Sequence, residues 1–253
     1  MKKALMVTSV IDIDNSYPLT YSKTRSYFSN EERLRQTIST VCMLDHICDD
    51  ETTIFLVDAS ERSDFYKSVF SYQKNLVYVD VRKEFPDLYQ IIRTHKHKSF
   101  CEMLLQLSFL EKYKKELSEY DYIFKISGRY FFDSSVNFNS CTEENIDKFL
   151  FKFPMSFDWD DNWGYSMVDR REIQKDNKLR QYSSVIYGWG KLQHDAMIDI
   201  FRVVAEMTNN EKTLHYDIET LLYYFTRQFE GKIIEHDWRV YGFIGVNGKF
   251  LRY

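Results

Sequence analysis

Proline and glycine are scarce in this chain, with three Pro and eight Gly in 253 residues. No Pro-rich or Ser/Gly-rich tract divides the sequence, which argues against a flexible linker and for a single domain over residues 1–253. Cysteine is also rare. Cys42, Cys48, Cys101 and Cys141 show no C-x-x-C spacing, which argues against a cysteine zinc site and implies a reduced, cytoplasmic protein. Basic excess is lacking as well: a net charge of −4 speaks against non-specific nucleic-acid binding, so no nucleic-acid partner is expected. The apolar start at Ala4–Val7 is interrupted by Thr8, Ser9 and Asp12. That run is too short for a signal peptide or a membrane span, leaving at most peripheral association with the inner face of a membrane. No G-x-G-x-x-G follows the first apolar run, and neither G-x-x-x-x-G-K-[ST] nor G-x-S-x-G occurs. Rossmann dehydrogenases, P-loop NTPases and Ser-His-Asp hydrolases are therefore disfavoured.

Aromatic residues are plentiful, with 19 Tyr and 20 Phe, and such side chains suit stacking on sugars or bases. Short β-rich runs at 5–11, 52–57 and 76–81 alternate with helical periodicity after Ser29/Asn30 and after Ser60-Glu61-Arg62. This order predicts an α/β fold with a mostly parallel sheet whose ligands gather at the strand carboxyl ends. Thr8, Ser9, Asp12, Asp58 and the loop bearing Arg25 should share that edge. A long helix is expected from Lys98 to Glu119, its apolar stripe running through Phe100, Met103, Leu104, Leu107, Leu110 and Leu117. The preceding loop, His95-Lys96-His97-Lys98-Ser99, places basic residues and free helix amides together, a combination that favours an anion; both histidines are expected to be exposed.

The helix feeds Asp121-Tyr122-Ile123-Phe124-Lys125-Ile126-Ser127-Gly128-Arg129-Tyr130-Phe131-Phe132. An apolar strand that ends in Ser-Gly-Arg brings a hydroxyl, an open backbone and a fixed positive charge to one point, which suits an anionic ligand. Farther on, strands are expected at 149–153 and 183–187, helices at 194–207 and 215–229, and a closing strand or hairpin within 239–249.

This layout resembles the GT-A class of nucleotide-sugar glycosyltransferases, and Lys-Ile-Ser-Gly-Arg-Tyr-Phe is similar to segments of bacterial surface-polysaccharide transferases. The resemblance implies a nucleotide-sugar-binding half near 1–132 and a more irregular acceptor half at 133–253. It further implies a nucleotide-sugar donor and a glycan or lipid-linked glycan acceptor, in assembly of lipopolysaccharide or capsule. Where that class carries Asp-x-Asp, whose carboxylates hold a divalent Mn or Mg ion, this chain has Ser127-Gly128-Arg129. Two alternatives follow: a leaving group stabilised by Arg and Lys without a metal, or a non-catalytic nucleotide- or carbohydrate-binding protein that keeps the fold. The first is preferred, because Arg25, Lys96, Lys98, Lys125 and Arg129 are plausible substitutes for a cation. Lys125 can instead point into the sheet or pair with an acid.

The expected donor site thus comprises Thr8, Ser9, Arg25, Asp58, Lys98, Ser99, Lys125, Ser127 and Gly128, with Arg129 at the leaving group. An inverting transfer also needs a base, and Asp217 and Glu219, at the start of a C-terminal helix, are the candidates. Glu219 is favoured, while Asp217 can equally cap the helix. The acidic, aromatic stretch Asp158, Trp159, Asp160, Asp161 and Trp163 is the candidate acceptor site. With His236 it is also the alternative place for a metal.

Overall fold

The computed structural model describes residues 1–158, 177–210, 217–245 and 247–252. Strands β1 (Lys3–Ser9), β2 (Thr52–Asp58), β3 (Leu76–Asp80) and β4 (Tyr122–Ser127) lie in the parallel order β3-β2-β1-β4. β1, β2 and β4 are almost wholly buried, as strands covered on both faces must be. Their crossovers carry α1 (Asn30–Ile47), α2 (Ser63–Val69), α3 (Val81–Glu84), α4 (Pro86–Thr94), α5 (Lys98–Lys112) and α6 (Lys114–Leu117). Register sets Ser9 opposite Asp58, Asp58 opposite Asp80, and Thr8 opposite Ser127. The polar ends of four strands therefore meet along one edge.

The second half adds β5 (Tyr130–Phe132), β6 (Phe149–Lys152), β7 (Met155–Asp158), β8 (Lys178–Gln181), β9 (Ile186–Gly190), α7 (His194–Asn209), α8 (Ile218–Thr226), β10 (Ile233–His236), β11 (Val240–Phe243) and β12 (Phe250–Arg252). The main sheet continues as β4-β9-β6-β10, and β9 alone among its seven strands runs against the rest. β9 is squeezed between β4 and β6: a Cβ at Gly188 would lie 2.4 Å from Phe124 Cδ1, and one at Gly190 would lie 2.2 Å from the Ile146 carbonyl oxygen. β5, β11 and β12 form a separate antiparallel sheet, and β7 pairs with β8.

Alternation along the strands distributes the core over both faces of the sheet. Leu5, Val7, Tyr122, Phe124 and Ile126 join the α1 residues Val41 and Leu44 on one face, whereas Ala4, Met6 and Ile123 join α4, α5, α7 and α8 on the other. Lys125 shares the second face by its odd position in β4. α1 begins where expected, at Ser29, whose hydroxyl accepts from Glu32 N while Glu32 reaches back to Ser29 N. α5 departs from expectation in its length and in its buried face. The helix breaks at Tyr113, and it buries Cys101, Met103, Leu105, Gln106, Phe109 and Leu110 because it is covered by α4 and α7 as well as by the sheet. Residues 183–185 form a turn rather than a strand, with the Ser183 hydroxyl accepting from Val185 N at 3.2 Å.

Candidate active site

At the end of β4 the Gly128 amide donates to the Thr8 carbonyl at 2.9 Å. A side chain here would crowd the same strand: an added Cβ would stand 3.0 Å from that oxygen and 3.3 Å from Val7 Cγ1. Glycine thus lets the chain turn tightly out of the sheet, and Arg129 emerges beside β1. A cavity of about 110 Å³ opens there, walled by Thr8, Ser9, Arg25, Lys98, Ser127 and Arg129 among the residues expected at the site. Arg33, Glu102 and Gly245 join them from α1, α5 and the turn after β11.

The charges of this cavity are unequal. Arg25 donates to the carbonyls of Tyr17 (3.1 Å), Ile92 (2.8 Å) and His95 (2.9 Å), so it serves chiefly to cap the carboxyl end of α4. Arg33, buried in α1, donates to the Val10 carbonyl and to Ser26 Oγ (3.2 Å). Burial, then the charge of Arg129, disfavours the protonated form of Arg33. Lys98 makes no hydrogen bond or ion pair among the described residues; burial, Arg129 and Arg33 push its ammonium down to about 8. Arg129 Nη1 is buried and has no partner among the described residues. Four basic side chains therefore crowd one cavity, and of these Arg25 and Arg33 are engaged by backbone carbonyls. An anion would relieve their mutual repulsion.

Glu102 is the acid of that wall, and it is engaged from below. Lys125 is fully buried and its Nζ donates to Glu102 Oε1 (2.5 Å), Ser127 Oγ (2.8 Å) and the Ser184 carbonyl. Of the alternatives open for Lys125, pairing with an acid inside the fold is the one realised. The Ser184 hydroxyl in turn donates to Glu219 Oε1 in the first turn of α8. Burial, followed by the nearby charge of Asp217, pushes Glu219 up to about 7. Asp217 caps α8, its Oδ1 accepting from Thr220 N at 2.7 Å and its Oδ2 from Gln181 Nε2 at 2.7 Å.

Other expected residues lie apart from the cavity. Asp58 is fully buried, with Oδ1 accepting from Ser60 Oγ (2.8 Å) and Oδ2 from the Tyr78 hydroxyl (2.6 Å), and burial pushes it up to about 6. Ser99 is the second residue of α5 and does not line the cavity, and Lys96 is exposed. Asp158 is exposed on β7 and pairs with Lys178 at 2.5 Å. Trp159, Asp160, Asp161 and Trp163 lie outside the described residues, as does His215. Contrary to expectation, His97 is buried and His95 half-buried, because the loop folds inward: Thr20 N donates to the Lys96 carbonyl, and His95 packs on Phe100 at 4.8 Å.

Arg33, Glu102 and Ser184 were not singled out from the sequence. Glu102 follows Lys98 by one helical turn, a spacing that puts both on one face of α5. Arg33 carries a weaker signal, a charge beside the apolar stripe of α1. For a divalent cation the strand end is chemically unsuited: it offers one hydroxyl already bound to Lys125, a glycine and a guanidinium, with no carboxylate pair. Among the described residues no group of three or more His, Cys, Asp and Glu is placed to hold a metal. His236 instead stacks on Trp238 at 4.5 Å and lies 3.1 Å from Ser140 Oγ.

The seven-stranded, mostly parallel sheet flanked by helices matches the GT-A glycosyltransferase fold. Among solved structures with this architecture is core-mannan synthase A from Aspergillus fumigatus in its Mn/GDP form. It is 12% identical to this chain, with a TM-score of 0.51 over 95% of this chain and 74% of its own. No family model matches the sequence, and no curated protein matches it. No helix among the described residues is long and apolar enough to cross a membrane.

Proposed function

We propose that this chain is a glycosyltransferase that moves a sugar from a nucleotide-activated donor to a glycan or lipid-linked glycan acceptor. The proposed setting is the assembly of a bacterial lipopolysaccharide or capsule. The observation that carries the proposal is Arg129, which lines a cavity shared with Lys98 at the carboxyl ends of β1 and β4 and whose buried Nη1 has no partner among the described residues. Sugar transfer expels a phosphate whose charge grows as the glycosidic bond breaks. Preorganised cations aimed at that charge lower the barrier. Arg129 and Lys98 meet the donor's phosphates directly, and Thr8 and Ser127 supply hydroxyls at the same edge. Glu219 accepts the proton of the acceptor hydroxyl.

The test is incubation with a panel of nucleoside-diphosphate and CMP sugars, with and without EDTA, following donor cleavage and thermal unfolding. Cleavage that survives EDTA and falls at least ~100-fold in Arg129→Ala is expected, the loss that removal of one charge-stabilising donor causes. Failure to bind any nucleotide sugar would overturn the proposal. A strict manganese requirement would overturn its metal-free part. Binding without turnover, unchanged in Glu219→Gln, would identify a non-catalytic binder of the same ligands.

A further inference from the structure

Two half-buried carboxylates compete for the role of base. Glu102 lines the cavity itself, whereas Glu219 stands behind Ser184 at the start of α8. Charge on either one opposes charge on the other. Between them lies Lys125, fully buried, bound at 2.5 Å to Glu102 and joined through the Ser184 carbonyl to the residue whose hydroxyl holds Glu219. Its position is fixed by β4, where Ile123, Lys125 and Ser127 share one face.

We propose that Lys125 is a positioning residue that makes Glu219, and not Glu102, the group that takes the acceptor's proton. Lys125 keeps Glu102 ionised and occupied by an ion pair, so that carboxylate serves as a fixed charge. Among the described residues Glu219 receives neutral donors, the Ser184 hydroxyl and a backbone amide. Two carboxyl groups held in different environments divide into a permanently charged partner and an exchanging one. In the reaction the acceptor oxygen forms its bond to the anomeric carbon, and the hydroxyl proton passes to a Glu219 oxygen. The electron pair of the broken carbon–oxygen bond leaves with the phosphate.

The groups that face Glu219 fit this division. Asp217 lies at its own helix cap; Glu102 and Lys98 face it from α5, Tyr130 from β5, Tyr187 from β9 and Tyr21 from the loop before α1. Burial opposes charge on Glu102, yet Lys125 and then Lys98 outweigh it and hold that carboxyl below the usual range. Glu219, through burial first and like charges second, is pushed up to about 7.

The inference rests on the transferase proposal for the word base, but the charge assignment can be read without turnover. Carboxyl carbon NMR of protein labelled at glutamate, with resonances assigned by Glu102→Gln and Glu219→Gln, should show Glu219 titrating near neutrality and Glu102 only in acid. In Lys125→Met the Glu102 midpoint should rise by one pH unit or more. Unmoved midpoints in a folded Lys125→Met protein would overturn the proposal. If that variant does not fold, Ser184→Ala decides: the Glu219 midpoint should rise while that of Glu102 stays, and the reverse sinks the idea. With a donor in hand, Glu219→Gln should cost at least ~100-fold in kcat and Glu102→Gln less than ~10-fold; the opposite order overturns the assignment. A protein that cleaves no donor yet shows the expected midpoints retains the charge division and loses only the reaction.

Discussion

Lys98 and Asp58 illustrate how burial tunes single charges at this edge. Lys98 is an ammonium pressed by Arg129 and Arg33 and relieved in part by Glu102 and Glu219. Its charge is present below about 8 and is lost above it. Diphosphate affinity should therefore fall by up to about tenfold per pH unit above that point, and binding near pH 8 should take up a proton. Calorimetry in buffers of different ionisation heat would show the uptake; a pH-independent affinity from 7 to 10, or one unchanged in Lys98→Met, would contradict it. Asp58 shifts the other way, with its folded-state value raised from 3.8 to about 6. The native state binds that proton more tightly than the unfolded chain, so this stabilising contribution is complete below 3.8 and is lost as pH rises through about 6. The span corresponds to roughly 3 kcal/mol. In urea unfolding at pH 4 to 7, Asp58→Asn should lack this slope, and parallel curves for variant and wild type would refute the burial cost.

Secondary-structure elements differ in how much of their placement the sequence reveals. α1 announced its start through Ser29 and Glu32, since a capping box depends on residues three apart. β4 was legible because a run apolar on both faces is buried on both. β9 was placed three residues early, for its pairing is set by distant neighbours: Phe124 of β4 and Leu150 of β6 both face Gly188. The glycines there matter through close approach. Gly190→Ala would set a methyl group against the Ile146 backbone and should destabilise by ~2 kcal/mol or more. Ser29→Ala, which removes only a cap, should cost about 1 kcal/mol. Chemical denaturation of the two variants tests the ranking, and equal losses would mean that β9 yields to make room.

For the whole molecule, one sheet joins the carboxyl edge of β1 and β4 to the α8 acid of the second half, through β9 and the segment before it. A diphosphate bound at that edge should raise the stability of the entire cooperative unit. At about 100 times Kd the gain is ~2.7 kcal/mol, or roughly 5–10 °C in Tm for a chain of this size. The shift should persist in EDTA. Loss of the shift on chelation would show that a cation carries the contact.

What the sequence by itself determined was the alternation of buried strands and helices, the cap of α1 and the departure Ser127-Gly128-Arg129, all of which depend on residues near one another in the chain. Tertiary structure decided the use of each charge. Arg25 was drawn to the end of α4, Lys125 to Glu102 and Asp217 to its own helix cap, while Arg129 kept a buried donor without a partner among the described residues. Such choices follow from which carbonyls and carboxylates come within 3 Å of a side chain, and those distances are fixed only when β1, β4, α5 and α8 pack together.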